Sequence, residues 1–339
     1  MHYIRKIKGN MISLFIITVL LLVIVIPTIT IVTTINNYFG TTTNLAYGQL
    51  DQMNSNTTNF VNVQNIPVKK VHVGDIDIAY KTFGKGDPIL LISGSGNVMD
   101  VWPSSMLGEL SSNHTVIIFD DRGVGKTTSG TRPFSIQQFV NDTIGLLDVL
   151  KIQKADVFGF SMASFIAQEL TLTHPEKVNK LILYGASCGG QENIPQSPQV
   201  VKALSDFVNN RTQDVETFLS VTFPPEWIKA NPNYLKTIPK SAEIVPPATL
   251  VQQFNAVEIW LATNWDGVCS QLPNISNPTL VITGTEDVAV PAANSLIIIQ
   301  KIPGAWLVQM KGAGHGLMYQ YPEQFSKIVE TFLENTKTS

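Results

Sequence analysis

Residues 155–174 read ADVFGFSMASFIAQELTLTH. The first six form a short apolar run suited to a strand buried on both faces. From Met162 the pattern turns helical, with no polar spacer between strand and helix. Ser161 alone must therefore turn the chain. Gly159 stands two positions before it and Ala163 two positions after it. Both have to be small, because a turn this sharp brings the helix against the strand and leaves no room for larger side chains.

The same alternation runs outward in both directions. Upstream, KKVHV (69–73) and DIDIAYKTFG (75–84) alternate with period two across a Gly-Asp turn and predict a hairpin or meander. PILLIS (88–93) and TVIIFD (115–120) predict buried strands, and SIQQFVNDTIGLLDVL (135–150) predicts a helix with Phe139, Ile144, Leu147 and Leu150 near helical spacing. Downstream, VNKLILYG (178–185), TLVITG (279–284) and AWLVQM (305–310) are strands, with helices at 292–300 and from Pro322 to about Asn335. Strands alternating with helices of this length predict a mostly parallel α/β sheet with helices on both faces. Between Cys188 and about Asn277 the rhythm gives way to helix-like segments separated by prolines, PQVVKALSDFVNN, VETFLSVTF, PPEWIKANP and ATLVQQFNAVEIWLAT. These predict a helical insertion.

The N-terminal end has a different character. Arg5, Lys6 and Lys8 fall within basic residues 1–10, and residues 11–32 form an uncharged apolar stretch of 22 residues. A spanning helix needs roughly 20 residues, whereas a signal-peptide core has about 7–15. The expectation is a transmembrane anchor, with the rest of the chain outside the cytoplasm because the positive charges precede the span. The alternative is secretion after cleavage at Ala46-Tyr47-Gly48. Residues 33–65, rich in Asn, Thr, Gln and Ser, read as a flexible tether. Five Asn-x-Ser/Thr sequons, at Asn56, Asn113, Asn141, Asn210 and Asn274, are compatible with export.

Composition narrows the function. Among 339 residues, 23 basic and 26 acidic side chains give a formal charge of −3. The thinly spread cations argue against nucleic acid as a partner. Two cysteines, Cys188 and Cys269, make no metal-binding pattern. A disulfide between them and two small buried hydrophobes are equal readings. The stretch FDDRGVGKTT (119–128) imitates the end of a phosphate-binding loop. Asp120 stands where that loop needs its first glycine, and Gly130 and Pro133 follow where it needs a helix. No nucleotide is expected.

Ser161 lies at a strand end, where α/β sheets gather catalytic groups. A serine is a weak nucleophile without a base that is itself oriented by an acid. Of five histidines, only His315, in GAGHG (312–316), sits in a small-residue loop directly after a predicted parallel strand. The acid should follow another strand end. Asp287 after TLVITG is the candidate, with Glu286 as the alternate.

From about Val71 to Phe332 the sequence resembles the α/β-hydrolase superfamily, in particular its lid-bearing esterase, lactonase and cofactor-free haloperoxidase branch. Four blocks carry the resemblance: LLISGSGNVMDVW (90–102), FDDRGVGKT (119–127), GFSMAS (159–164), and GTEDVAVP (284–291) with GAGHGLMYQYPEQF (312–325). The resemblance implies a core of residues 66–190 and 277–339, a helical cap over 191–276, and a nucleophile elbow at Ser161. Ser161, Asp287 and His315 occur in the order this fold uses for its catalytic triad. It further implies an oxyanion hole made by the backbone N–H groups of Ser95 and Met162. Ser93 stands where the family usually has histidine. Asp120 and Arg122 would then be structural. Met162 is also expected as a pocket wall, and Trp102 and Trp260 as members of a substrate pocket, while Trp227 and Trp265 read better as helix packing. The implied activity is hydrolysis of a small carboxylic ester or lactone through an acyl-enzyme, without metal or organic cofactor. The rival expectation is a ligand-binding or signalling protein that keeps the fold. A peptidase acting on N-terminal proline lacks its Gly-Gly-Pro-Gly loop here, and a serine at the elbow excludes the aspartate-nucleophile branches.

Overall fold

The computed structural model describes residues 61–209, 215–236 and 238–336. The predicted membrane segment, most of the predicted tether and the cleavage alternative lie outside them. Among the described residues no helix is long and apolar enough to cross a membrane.

The strands are β1 (Lys69–Val73), β2 (Ile76–Gly84), β3 (Asp87–Ile92), β4 (His114–Phe119), β5 (Ala155–Phe160), β6 (Val178–Tyr184), β7 (Thr279–Gly284) and β8 (Trp306–Met310). They form one 8-stranded sheet in the order β1-β2-β4-β3-β5-β6-β7-β8. β2 runs antiparallel to both β1 and β4, and the remaining pairs are parallel. The helices are α1 (Ser104–Asn113), α2 (Ile136–Val149), α3 (Met162–Thr173), α4 (Pro198–Asn209), α5 (Val215–Thr222), α6 (Pro225–Ala230), α7 (Pro247–Leu261), α8 (Ala293–Lys301), α9 (Leu317–Gln320) and α10 (Pro322–Asn335). The sequence reading assigns nothing to α1, which follows Pro103 without a side-chain cap, or to the short α9.

Period two sorts the strand side chains between two cores. Leu90, Ile92, Ile117 and Phe119 pack with α2, α3 and α8 on one face. Ile89, Leu91, Val116 and Ile118 pack with α1 and α10 on the other. With both faces apolar, alternation alone does not forbid a one-residue slip, so close backbone approaches must help to fix the register. Gly159 supplies one. A Cβ there would lie 2.3 Å from the Ala163 carbonyl oxygen, so only glycine lets α3 leave β5 at this angle.

The FDDRGVGKTT stretch is an interlocked loop after β4. Asp120 accepts from Met99 N at 2.7 Å and Lys126 N at 3.1 Å, and the Thr127 hydroxyl donates to the Asp120 carbonyl at 2.8 Å. Burial pushes the Asp120 carboxyl up to about 6 against the pull of those two N–H groups. Arg122 is almost fully buried and grips Asp142 of α2 through two bonds of 2.8 and 2.9 Å, and Asp75 of the β1–β2 turn at 2.8 Å. Its guanidinium holds the Asp75 carboxyl well below the usual range. The buried cation has two carboxylate partners, which is what its desolvation requires. Cys188, just after β6, and Cys269 are joined as a disulfide. It ties the far end of the β6–β7 segment back to the sheet.

Candidate active site

Ser161 has φ 56° and ψ −121°. A non-glycine residue held in this region carries strain that the surrounding structure must fix. Here the Ser161 N–H donates to the Tyr184 carbonyl at 2.8 Å, and the Ser161 carbonyl accepts from the Ser164 N–H at 2.8 Å and the Ser164 hydroxyl at 2.7 Å. The turn is thus pinned on both sides.

The loops after β7 and β8 bring the other two candidates to it. His315 Nε2 is 2.9 Å from Ser161 Oγ, and His315 Nδ1 is 2.8 Å from Asp287 Oδ2. The second Asp287 oxygen accepts from Val290 N at 2.9 Å, so the carboxylate cannot swing freely. Glu286, the alternate, is exposed, and among the described residues its side chain meets only the Thr285 hydroxyl. Gly185 lies beside the imidazole with φ +60°, and a Cβ there would come within 2.8 Å of His315 Cε1. With Nδ1–H directed at the carboxylate, Nε2 is left as an acceptor facing the serine hydroxyl.

Two residues that sequence reasoning missed hold the loops after β8 and β3. Tyr184, at the end of β6, donates its hydroxyl to the His315 carbonyl and stacks on Phe160 at 4.7 Å. Burial keeps this phenol protonated, pushing it well above its ordinary value, with the Asp287 charge adding to the effect. Gln253, fully buried on α7, accepts from the Gly96 N–H at 2.9 Å. The Asn97 amide adds bonds of 3.2 Å to the Gly94 and Ser95 carbonyls. Ser93 contributes nothing comparable: its hydroxyl is buried without a partner. The loop after β3 is therefore braced from its far end by Asn97 and Gln253, where a histidine at position 93 would brace it from the near end.

Ser95 and Ser161 both line a cavity of about 320 Å³. Among the described residues, neither the Ser95 nor the Met162 backbone N–H donates to a protein acceptor. For Met162 this follows from its place in the first turn of α3, where N–H groups have no intrahelical partner. His315 also lines the cavity, and its walls are mainly apolar, with Phe160 from the core and Leu204, Phe218, Phe254 and Val257 from α4, α5 and α7.

Three expected pocket residues are corrected. Trp102 lies fully buried on the α1/α10 face, edge-on to Phe158 at 5.2 Å, away from the cavity. Trp260 stacks on the back of Phe165 at 5.6 Å and does not reach the cavity. Met162 turns its side chain into the core beside α2 and α3 and is no wall. Trp227 and Trp265 pack against Phe223 and Trp260, as the helix-packing reading expects. Among the described residues no group of three or more His, Cys, Asp or Glu side chains could hold a metal ion.

Residues 87–322 match the family described as alpha/beta hydrolase fold. The chain is 30% identical over 266 residues to 2-hydroxymuconate semialdehyde hydrolase of Pseudomonas putida, covering 74% of this chain and 88% of that protein. It is 26% identical over 264 residues to 3-oxoadipate enol-lactonase 2 of Acinetobacter baylyi, covering 77% of this chain and 94% of that one. Among solved structures it resembles an alpha/beta hydrolase fold protein from Chitinophaga pinensis at 26% identity with a TM-score of 0.67, covering 80% of this chain and 98% of that one.

Proposed function

The chain belongs to the alpha/beta hydrolase fold family, and from that premise we propose that it is a serine hydrolase cleaving a small carboxylic ester or lactone. The observation that carries the reading is the hydrogen-bonded series Ser161, His315, Asp287, with spacings of 2.9 and 2.8 Å, at the floor of an apolar cavity. In this reading His315 Nε2 takes the Ser161 proton as the alkoxide attacks the acyl carbon. The Ser95 and Met162 N–H groups receive the oxyanion, and Asp287 stabilises the imidazolium. Collapse expels the alkoxide, which takes the proton from His315. Water deprotonated by His315 then attacks the acyl-enzyme, and the acid leaves.

Residues 191–276 act as the lid of this site, and Tyr184 and Gln253 as positioning residues. The basic residues ahead of the apolar segment 11–32 support a hydrolase held on the outer side of a membrane. The Cys188–Cys269 disulfide supports the same reading, since such bonds persist in oxidising compartments. The activity is tested with residues 58–339 on a panel of para-nitrophenyl esters and lactones. Turnover with wild type and its loss in Ser161→Ala is expected. Retention of a ligand with no turnover, unchanged in Ser161→Ala, would replace the enzyme by a binding protein.

A further inference from the structure

The cavity over Ser161 has two kinds of wall. Most of it is aliphatic or aromatic, but Asp100 and Glu243 also line it, and no lysine or arginine does so among the described residues. A second, smaller cavity of about 80 Å³ abuts the first through the shared residues Val98, Asp100 and Glu243. Lys81 and Lys126 line only this smaller cavity. Lys81 Nζ lies 2.6 Å from Asp100 Oδ1, both residues being buried, and Lys126 Nζ lies 3.1 Å from Glu243 Oε1. Both Asp100 oxygens are taken up, Oδ1 by Lys81 and Oδ2 by the Gln64 amide at 3.1 Å, and Lys81 and Gln64 line only the smaller cavity. Glu243 meets Lys126 through one carboxylate oxygen. Lys81 is fixed further, donating also to the Val63 carbonyl at 2.9 Å.

From this arrangement we infer that the site selects acyl groups lacking a carboxylate, and that Glu243 is the specificity determinant. The inference rests on the hydrolase reading above and names its substrate class. An anionic acyl end entering the cavity would meet the Glu243 carboxylate and, among the described residues, no lysine or arginine on the wall to replace its lost water, which disfavours it on both counts. An alkyl end meets apolar wall. A hydroxyl end can donate to Glu243, whose bond to Lys126 occupies one of its two oxygens.

Three esters of one chain length test this: para-nitrophenyl octanoate, para-nitrophenyl 8-hydroxyoctanoate and mono-para-nitrophenyl suberate. At pH 8 the wild type is expected to prefer the octanoate over the suberate by at least about tenfold in kcat/KM, and to accept the hydroxy ester about as well as the octanoate. In Glu243→Gln the suberate-to-octanoate ratio should rise, and in Glu243→Lys it should rise further. A wild-type ratio at or above one, with both esters turned over, overturns the inference and leaves the hydrolase reading standing. So does a ratio that neither variant moves. Failure of all three esters, with Ser161 unreactive towards a fluorophosphonate, sinks the hydrolase reading and this inference with it. The wild-type ratio needs no variant, so a misfolded substitution does not blunt the test.

Discussion

At Gly159 the Ala163 carbonyl oxygen lies 2.3 Å from where a Cβ would sit, whereas Ile259 on α7 leaves 72% of its surface in solvent. The two residues stand for two regions that build one cavity under different constraints. The loops at the ends of β5, β7 and β8 are fixed by close backbone approach, strained dihedrals and hydrogen bonds with single solutions. The β6–β7 segment fills volume with apolar side chains, which many sequences of similar bulk could do. In the hydrolase reading, chemistry falls to the first region and selectivity to the second. Gln253 crosses that division, because a side chain of the segment holds the loop that carries Ser95.

The largest effect should come from within the first region. Asp287→Asn keeps the shape but offers an amide to His315, favouring the wrong tautomer, and should lower kcat by roughly 10⁴, as the equivalent change does in a serine protease. Ester kinetics with unchanged thermal melting would check it, and a loss under tenfold would show that Asp287 does not set the His315 tautomer. Next comes Gln253→Ala, which removes the acceptor for Gly96 N–H. We expect kcat to fall roughly 10–100-fold with little change in KM, since misplacing an oxyanion donor costs transition-state and not ground-state binding. A change in KM alone would return Gln253 to the walls.

The smallest effect is on stability. Asp120 has a carboxyl pushed from 3.8 to about 6 in the folded chain by burial. Between those values the native state holds more protons than the unfolded one, so this group makes stability fall as pH rises from about 4 to about 6. Melting temperatures measured across that window should decline less steeply in Asp120→Asn than in wild type. Parallel curves would show that the loop after β4 carries no such cost.

The first region was far more legible in the sequence than the second. Gly159, Ser161 and Ala163 fall close together in the chain, and the constraint that makes them small is local, so the turn could be read before any contact was known. His315 and Asp287 could be placed because each follows an apolar run. Tyr184 and Gln253 could not. Tyr184 looks like the last residue of a buried strand, and its bond to His315 spans 131 positions. Gln253 interrupts an apolar helix face, the one local sign of a buried polar role, but its partner Gly96 lies 157 positions away. The tryptophans failed for the opposite reason. Size and apolarity suit a pocket wall and a core equally, and only packing against Phe158 and Phe165 decides for the core. Helix α1 escaped because it has no cap signal and follows a proline.

The central claim is that Ser161 is a nucleophile activated by His315. Its most direct test is intact-mass and peptide mass analysis of the protein after reaction with a fluorophosphonate, alongside His315→Ala. The account predicts one adduct, located on Ser161, formed in wild type and strongly slowed in His315→Ala. An unmodified Ser161 in folded wild-type protein, or labelling indifferent to His315, would contradict it.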